Sequence, residues 1–294
     1  MQLKDEREEM TDRGRPKSIL YTSALRDESF PRLFSCGAHV GVIDLEDGVP
    51  KPLKMQGRNN LSQFTSSHEI PPQSQFAIRI NEIASTDGLH DLLLLKELQL
   101  EPDILIMSMV LSGGDVQFLH HFLKTQDFKK QPKIFVTVEC PQAISDIKTI
   151  ANYADGLIFG SADYCASLGV TIGGWEKLLY ARCSIVNAAT QYGIPAYDTA
   201  FFILEDEHGL TEECEKVKDL GFTGKTAIHP QQIKTINRIF TPTSQEVIEA
   251  KDLIEKYQLS MQGIIRINKQ MVGPPFYKLA QKTLLKAKEV IPIS

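Results

Sequence analysis

The stretch VGVIDLED, residues 40–47, runs from four apolar or glycine positions directly into the carboxylates Asp44, Glu46 and Asp47. A run that is apolar at nearly every position is typical of a strand buried on both faces, as in a parallel sheet. Seven other runs share this character: SILYTSA (18–24), FAIRIN (76–81), DILIMSM (103–109), KIFVTVE (133–139), GLIFGSAD (156–163), IPAYDTA (194–200) and KTAIHP (225–230). The pattern predicts eight parallel strands covered by helices.

Helical segments separate these strands, and their number decides between two α/β architectures. Eight strand–helix units fit a (β/α)8 TIM barrel, whereas a doubly wound sheet uses fewer units and has a glycine-rich turn after its first strand. The first strand is followed by LRDESFPRLF, which contains no such turn. We therefore expect a flexible lead-in over residues 1–16, a barrel over 17–240 and a C-terminal helical extension over 241–294. The extension is expected to cover the barrel mouth or to reach a neighbouring subunit.

The composition argues against several classes of protein. The chain has 294 residues, a formal net charge of -5 and 42% hydrophobic residues, which is ordinary for a globular protein and unlike a nucleic-acid binder. Its charged N-terminus lacks the apolar segment of a signal peptide, and no apolar run approaches the roughly 20 residues of a membrane span. The five cysteines are scattered without a CxxC pair, as is typical of reduced thiols. We expect a cytoplasmic protein that binds neither nucleic acid nor membrane.

Carboxylates stand at or just beyond the ends of four predicted strands. They are Asp44 with Glu46, then Glu139, Asp163 and Asp198. The carboxyl ends of barrel strands meet at one mouth, where the active sites of this fold lie. Oxygen ligands without a cysteine or histidine cluster suit Mg²⁺, with Mn²⁺ as the alternative. The strand ends therefore predict a divalent-metal site.

Each of these carboxylates also has a structural interpretation. A strand-end aspartate can cap the following helix, and Asp198 before Thr199 suits that role best. Glu139 is harder to explain in this way, because it ends an otherwise apolar run and precedes Pro141, which is well placed to open a helix. Arg79 lies inside a buried strand and needs an anionic partner.

An ordered set of motifs gives the chain a family resemblance. The motifs are VIDLEDGVP, IRIN, VECPQA, FGSADYCASLG, LLYARCSIVNAA, GIPAYDTAF and GFTGKTAIHPQQI, followed by NKQMVGPPFYKLAQKTL. Together they resemble the HpcH/HpaI aldolase/citrate lyase family, in its citrate lyase beta-subunit-like branch. The resemblance implies a Mg²⁺-dependent barrel that cleaves or forms a carbon–carbon bond between a 2-oxo acid and an acyl thioester of CoA or a carrier protein. It also implies a homotrimer or hexamer in which the C-terminal segment covers a neighbour's active site.

The resemblance also implies roles for particular residues. Glu139 and Asp163 match the two metal-ligating carboxylates of the family. Arg79 matches the arginine that binds substrate oxygens and stabilises the enolate, and Glu46 matches the acidic residue near the metal's waters. We therefore expect Arg79 and Glu46 to be catalytic. Two further residues are expected to bind substrate: Lys17, at a basic position near the start of the first strand, and Ser108, at a position where the family has a lysine.

The chain departs from the family pattern in ways that leave the reaction open. Ala162 replaces the first residue of an acidic pair, and Gly273 stands where the family commonly has an aspartate that acts as acid or base on the neighbouring subunit. The leading interpretation is a lyase or aldolase acting on a 3-hydroxy-acyl thioester or a related hydroxy acid. The alternatives are a Mg²⁺-dependent thioester hydrolase or condensing enzyme on the same site, or a non-catalytic binding subunit that retains the fold.

Overall fold

Eight strands form a closed barrel in the computed structural model, which describes residues 15–71, 74–126, 128–260, 263–267 and 269–288. They are β1 (Ser18–Ser23), β2 (Val40–Asp44), β3 (Gln75–Ile80), β4 (Ile104–Met107), β5 (Lys133–Val138), β6 (Gly156–Phe159), β7 (Ala196–Asp198) and β8 (Gly224–Ala227). Each strand pairs in parallel with its neighbours in chain order, and β1 pairs with β8 to close the ring. The predicted (β/α)8 barrel is confirmed. The expected lead-in falls almost entirely on residues 1–14, which lie outside the described residues.

Helices connect the strands and cover the outside of the barrel. They are α1 (Phe30–Leu33), α2 (Lys54–Ser67), α3 (Thr86–Glu97), α4 (Gly113–Lys124), α5 (Pro141–Ser145), α6 (Ile147–Tyr153), α7 (Ser161–Leu168), α8 (Trp175–Tyr192), α9 (Glu207–Leu220) and α10 (Gln231–Phe240). Their ends follow ordinary capping chemistry: the Asp206 side chain accepts the Gly209 N–H at 2.8 Å where α9 begins, and α8 ends at Gly193 with φ 71°. Within the described part of the chain, none of the helices combines the length and apolar character that crossing a bilayer requires.

Alternate side chains of the strands fill the barrel in layers. The lower part is apolar and consists of Ile19, Val40, Val42, Ala77, Ile104, Ile106, Phe135, Ile158 and Tyr197. Because strand side chains alternate between faces, the residues two positions further along five of the strands face the same interior. Those residues are Tyr21, Asp44, Arg79, Ser108 and Thr137. The interior therefore changes from apolar to polar toward the carboxyl ends of the strands.

Several strands are shorter than the sequence predicts, and this changes where two carboxylates lie. Strand β2 ends at Asp44, so Glu46 belongs to the following loop. Strand β6 ends at Phe159, and α7 begins at Ser161, so Asp163 lies in the first turn of a helix rather than on a strand. An aspartate in a first helical turn is favoured by the helix dipole.

A set of four charges, three of them buried, joins β7 and β8 to the helices outside the barrel. Asp198 accepts hydrogen bonds from Arg182 Nε at 2.8 Å and from Lys225 Nζ at 2.6 Å. Lys225 Nζ also lies 2.6 Å from Glu213, and Arg182 Nη2 lies 3.5 Å from the same carboxylate. The prediction that Asp198 caps a helix is therefore wrong: as the last residue of β7 it points away from the barrel interior, where it pairs with two cations.

The described residues form two compact units, Pro16–Asn237 and a second unit that contains the chain from Arg238 onward. In the second unit, α11 (Ser244–Ser260) packs against α12 (Pro274–Lys288). Between them β9 (Ile265–Ile267) and β10 (Gln270–Val272) form an antiparallel pair. The rings of Tyr257 and Tyr277 lie 5.1 Å apart, and Gln258 donates to the Tyr277 hydroxyl at 3.0 Å.

Candidate active site

A pocket of about 380 Å³ opens at the carboxyl ends of the barrel strands. Its walls come from the ends of six strands and the loops that follow them. The groups with charges or hydroxyls are Tyr21, Thr22, Ser23, Arg26, Asp44, Asp47, Arg79, Thr137, Glu139, Ser161, Asp163, Thr199 and Thr226. The pocket thus brings together four of the carboxylates and the arginine that the sequence singles out.

Asp44 accepts more hydrogen bonds than any other side chain described in the site. Its carboxylate accepts Arg79 Nε at 2.7 Å and Nη2 at 2.6 Å, a two-pronged pair that the parallel register places directly across β2 and β3. It also accepts the backbone N–H groups of Glu46 and Gly48, each at 2.9 Å. Both oxygens are therefore fully used, and Asp44 fixes the orientation of Arg79.

Glu46 forms an ion pair with the remaining nitrogen of the Arg79 guanidinium. Its carboxylate lies 3.0 Å from Arg79 Nη1 and accepts the backbone N–H of Asp47 at 2.8 Å. Burial raises the pKa of Glu46 to about 7, although the charge on Arg79 opposes this effect. Glu46 can therefore exchange a proton near neutral pH.

Glu139 follows β5 and is almost completely buried at the base of the pocket, with 2% of its surface exposed. It accepts the backbone N–H of Met109 at 2.5 Å, and Met109 adopts φ 52°, a conformation that is unusual for a residue other than glycine. A side chain at Gly160 would meet Glu139 Cβ at 2.6 Å, so the glycine is needed for this close approach. Burial raises the pKa of Glu139 to about 8, and the charges on Glu46 and Asp163 add to the effect.

Asp163 is half-buried in the first turn of α7, which follows β6, the strand next to β5. Burial, together with the charge on Asp47, raises the pKa of its carboxyl above the ordinary value. The charge on Asp163 in turn disfavours the ionised form of Glu139. A cation between two such carboxylates would reverse this penalty.

The donor set fits a hard divalent cation. Among the described residues no group of three metal-ligating side chains is preassembled. Glu139 and Asp163 would thus supply two oxygen ligands, which suits Mg²⁺ because this ion usually keeps several waters and takes one or two carboxylates together with substrate oxygens. The residues present are compatible with the ion that the sequence predicts.

The two expected substrate-binding residues, Lys17 and Ser108, lie at opposite ends of the barrel. Lys17 precedes β1, and its carbonyl oxygen accepts the N–H of Lys225 at the amino end of β8. It lies at the end of the barrel opposite the pocket, so the prediction that it binds substrate is wrong. Ser108 follows β4 at the correct end and is buried, and among the described residues its Oγ has no hydrogen-bond partner. Thr137 Oγ1, on the adjacent strand, is buried and unpartnered in the same sense.

The sequence interpretation missed Tyr21 and Thr137. Both continue the period-two alternation of buried residues, Tyr21 after Ile19 and Thr137 after Phe135. Extending the alternation by one step toward the carboxyl end of each strand would have identified them. Neither side chain is charged, whereas the predictions from the sequence considered the charged residues at the strand ends.

Comparisons with known proteins identify a family and several relatives. The family model described as HpcH/HpaI aldolase/citrate lyase matches residues 17–230. Citrate lyase subunit beta of Haemophilus influenzae is 31% identical over 264 residues, which cover 85% of this chain and 89% of that protein. Mitochondrial citramalyl-CoA lyase of Rattus norvegicus is 25% identical and covers 93% of this chain and 86% of that protein.

A solved structure has the same fold. The citrate lyase beta subunit of Mycobacterium tuberculosis, complexed with oxaloacetate and magnesium, superimposes with a TM-score of 0.68 at 25% identity. The match covers 79% of this chain and all of that one (100%). The family model spans most of the barrel, and the relatives named above are lyases. The chain therefore belongs to the HpcH/HpaI aldolase/citrate lyase family and is a carbon–carbon lyase of that family.

Proposed function

We propose that this protein is a Mg²⁺-dependent lyase that cleaves a carbon–carbon bond in a 3-hydroxy-acyl thioester or a related hydroxy acid. The products would be a 2-oxo acid and an acyl thioester of CoA or a carrier protein. The observation that carries the proposal is the convergence of Glu139 and Asp163 with the Arg79 guanidinium on one pocket. The magnesium and oxaloacetate bound to the Mycobacterium tuberculosis relative support the choice of ion and acid.

Glu139 and Asp163 are the residues that would hold the ion. Their raised pKa values arise from burial and from neighbouring negative charge, both of which a bound cation counteracts. When bound, Mg²⁺ would polarise the oxygen atoms of the acid as a Lewis acid. Mn²⁺ has the same preference for oxygen ligands and could substitute.

Arg79 would stabilise the negative charge that develops as the bond breaks. Asp44 and Glu46 engage three of its nitrogen atoms, so its orientation is fixed before substrate arrives. Preorganised donors stabilise a developing charge without the cost of reorganising at the moment of reaction. A lysine would not replace this group, because a single ammonium cannot match the planar guanidinium fork.

Glu46 would take the proton from the substrate hydroxyl. A general base works best when its pKa lies near the working pH, and burial brings Glu46 to about 7. Its pairing with Arg79 keeps the carboxylate beside a residue that lines the pocket. Ser108 would complete the binding site, since its buried and unpartnered hydroxyl follows β4 at the end of the barrel where the acid is held.

The proposal is tested first by metal binding. We expect calorimetric titration of Mg²⁺ to give tighter binding when oxaloacetate, pyruvate or glyoxylate is present. Glu139→Gln and Asp163→Asn should lose this binding while remaining folded. Glu97→Gln, on the exposed face of α3, is the matched control and should bind as the parent does. Unchanged Mg²⁺ binding in both site variants would contradict the assignment.

The second test is turnover. Wild-type protein with Mg²⁺ and a panel of 3-hydroxy-acyl-CoA thioesters should release a 2-oxo acid and a shorter acyl-CoA, identified by mass spectrometry. Release of free CoA with an intact hydroxy acid would point instead to thioester hydrolysis. Metal and acid binding without turnover of any thioester would point to a binding subunit.

We also propose that the protein is a homotrimer or hexamer. The second unit would cover the active site of a neighbouring subunit, as the family resemblance implies. Analytical ultracentrifugation gives the subunit number directly. Removal of residues 241–294 should lower activity if the extension completes a neighbour's site. The cytoplasmic location stays a prediction.

A further inference from the structure

The ionisable side chain of Tyr21 lines the pocket but has no part in the function proposed above. Tyr21 lies on β1 and packs on the apolar core, in the polar layer that also contains Asp44 and Arg79. The Arg79 guanidinium carbon lies 5.2 Å from the centre of the Tyr21 ring. Among the residues that the structure describes, the Tyr21 hydroxyl has no hydrogen-bond partner. A partly buried phenol that donates to no protein group is available for a ligand.

The other ionisable groups of the pocket are unsuited to donating a proton. Both oxygens of Asp44 accept N–H groups and have no room for a proton. Arg79 is permanently charged. Glu139 and Asp163 are the proposed metal ligands. Asp47 is exposed, and Arg26 is an exposed cation at the rim.

Glu46 is already assigned the opposite task, because it accepts the proton of the substrate hydroxyl. The reaction needs a second group as well, since the acyl carbon released by cleavage must gain a proton. Tyr21 is the remaining ionisable group that is both central and protonated at neutral pH: burial keeps its pKa above the ordinary value, as do the charges on Asp44 and Glu139, although Arg79 opposes them.

We propose that Tyr21 is a catalytic residue that donates its hydroxyl proton to the acyl carbon released by bond cleavage. This inference rests on the proposed lyase function. The carbon–carbon bond breaks, its electron pair becomes the enolate of the acyl product, and the enolate carbon takes the Tyr21 proton. Glu46 has meanwhile gained the proton of the substrate hydroxyl as the 2-oxo acid forms.

The protons released and taken up balance over one turnover. Tyr21 ends as a phenolate beside the Arg79 cation, and Glu46 ends as a neutral acid. One proton moves back from Glu46 to Tyr21 through solvent once the products leave. No oxidant, reductant or further reactant is required.

The test is Tyr21→Phe, which removes one oxygen atom and keeps the ring on the core. We expect kcat for thioester cleavage to fall by about 10²–10⁴-fold, the usual contribution of a general acid. KM should stay within about twofold of the parent value, since the variant removes a group used in the transition state. The unfolding midpoint and the affinity for oxaloacetate in the presence of Mg²⁺ should be unchanged. Tyr180→Phe, an exposed tyrosine on α8, is the matched control.

Two results would overturn the assignment of Tyr21. One is a Tyr21→Phe enzyme with parental kcat, which would show that the proton comes from elsewhere. The other is a raised KM and weakened oxaloacetate binding with parental kcat, which would make Tyr21 a binding residue. A failure of the lyase function is distinguishable, because wild-type protein would then cleave none of the thioesters.

Discussion

Replacement of Asp44 by asparagine tests how the site orients its arginine. The carboxylate accepts four N–H donors, two on each oxygen, and its side chain is only 5% exposed. An amide has one oxygen and one donor nitrogen. Whichever way the new amide turns, its nitrogen faces one backbone N–H and one N–H of Arg79. Two hydrogen bonds are lost, and Arg79 keeps Glu46 as its remaining carboxylate partner.

The magnitude follows from the burial of the pair. Removing one member of a buried ion pair typically costs about 3–5 kcal/mol, because the other charge is left uncompensated. Contact with Glu46 moderates this loss, so we expect the lower end, about 3 kcal/mol. In a unit of this size each kcal/mol lowers the melting temperature by roughly 2–4 °C, so Asp44→Asn should melt about 6–12 °C below the parent. The activity should fall as well, since Arg79 is no longer held in one orientation.

The assay is urea unfolding followed by circular dichroism, with thioester cleavage measured on the same samples. Asp47→Asn is the control, because Asp47 is exposed and its contact with Glu46 uses a backbone N–H that the substitution preserves. An Asp44→Asn protein within about 0.5 kcal/mol of the parent, the range of ordinary surface changes, would refute the argument that this pair is a buried anchor.

Three further predictions concern the pocket floor and its neighbours. Because the folded-state pKa of Glu139 is raised to about 8, the metal-free protein should lose stability as pH rises from about 4.5 to 8. This group contributes at most about 1.4 kcal/mol per pH unit to the loss. In urea titrations, the unfolding free energy of Glu139→Gln should fall less steeply with pH than that of the parent. Gly160→Ala should weaken Mg²⁺ binding by calorimetry, since the new methyl would displace Glu139; unaltered affinity would show that the glycine is not required. Ser108→Ala should leave the unfolding free energy unchanged or raise it by up to about 1 kcal/mol, because its hydroxyl is unpartnered among the described residues, while the affinity for the acid falls. An unchanged affinity for the acid would contradict the substrate-binding role.

Much of the architecture could be predicted because apolar strands and strand-end charges are local patterns. Eight runs with helices between them limit the fold to a barrel, and the barrel brings Glu139 and Asp163 to one mouth. The partner of a given side chain is harder to predict, because it depends on the register between strands and on the face of the sheet that the side chain occupies. The position of Arg79 inside a buried strand indicates that it needs an anionic partner, but only the pairing of β2 with β3 identifies Asp44 as that partner.

The errors have the same physical origin. Lys17 carries a suitable charge, yet one strand length separates it from the pocket. Asp198 has the composition of a helix cap, but its place as the last residue of β7 turns it outward to Arg182 and Lys225. Neither position can be derived without knowing where each strand begins and ends.

The set of four charges outside β7 and β8, three of them buried, restricts how this sequence can change over evolution. Two cations, Arg182 and Lys225, balance two anions, Asp198 and Glu213, so the set is neutral as a whole. Neutralising one of the three buried members, Arg182, Asp198 or Lys225, leaves an uncompensated charge, at about 3–5 kcal/mol, a large part of the roughly 5–15 kcal/mol that keeps a protein folded. Single substitutions are therefore expected to be purged, whereas paired exchanges could survive. Among descendants of this chain the four positions should covary, even where the reacting residues diverge to accept another substrate.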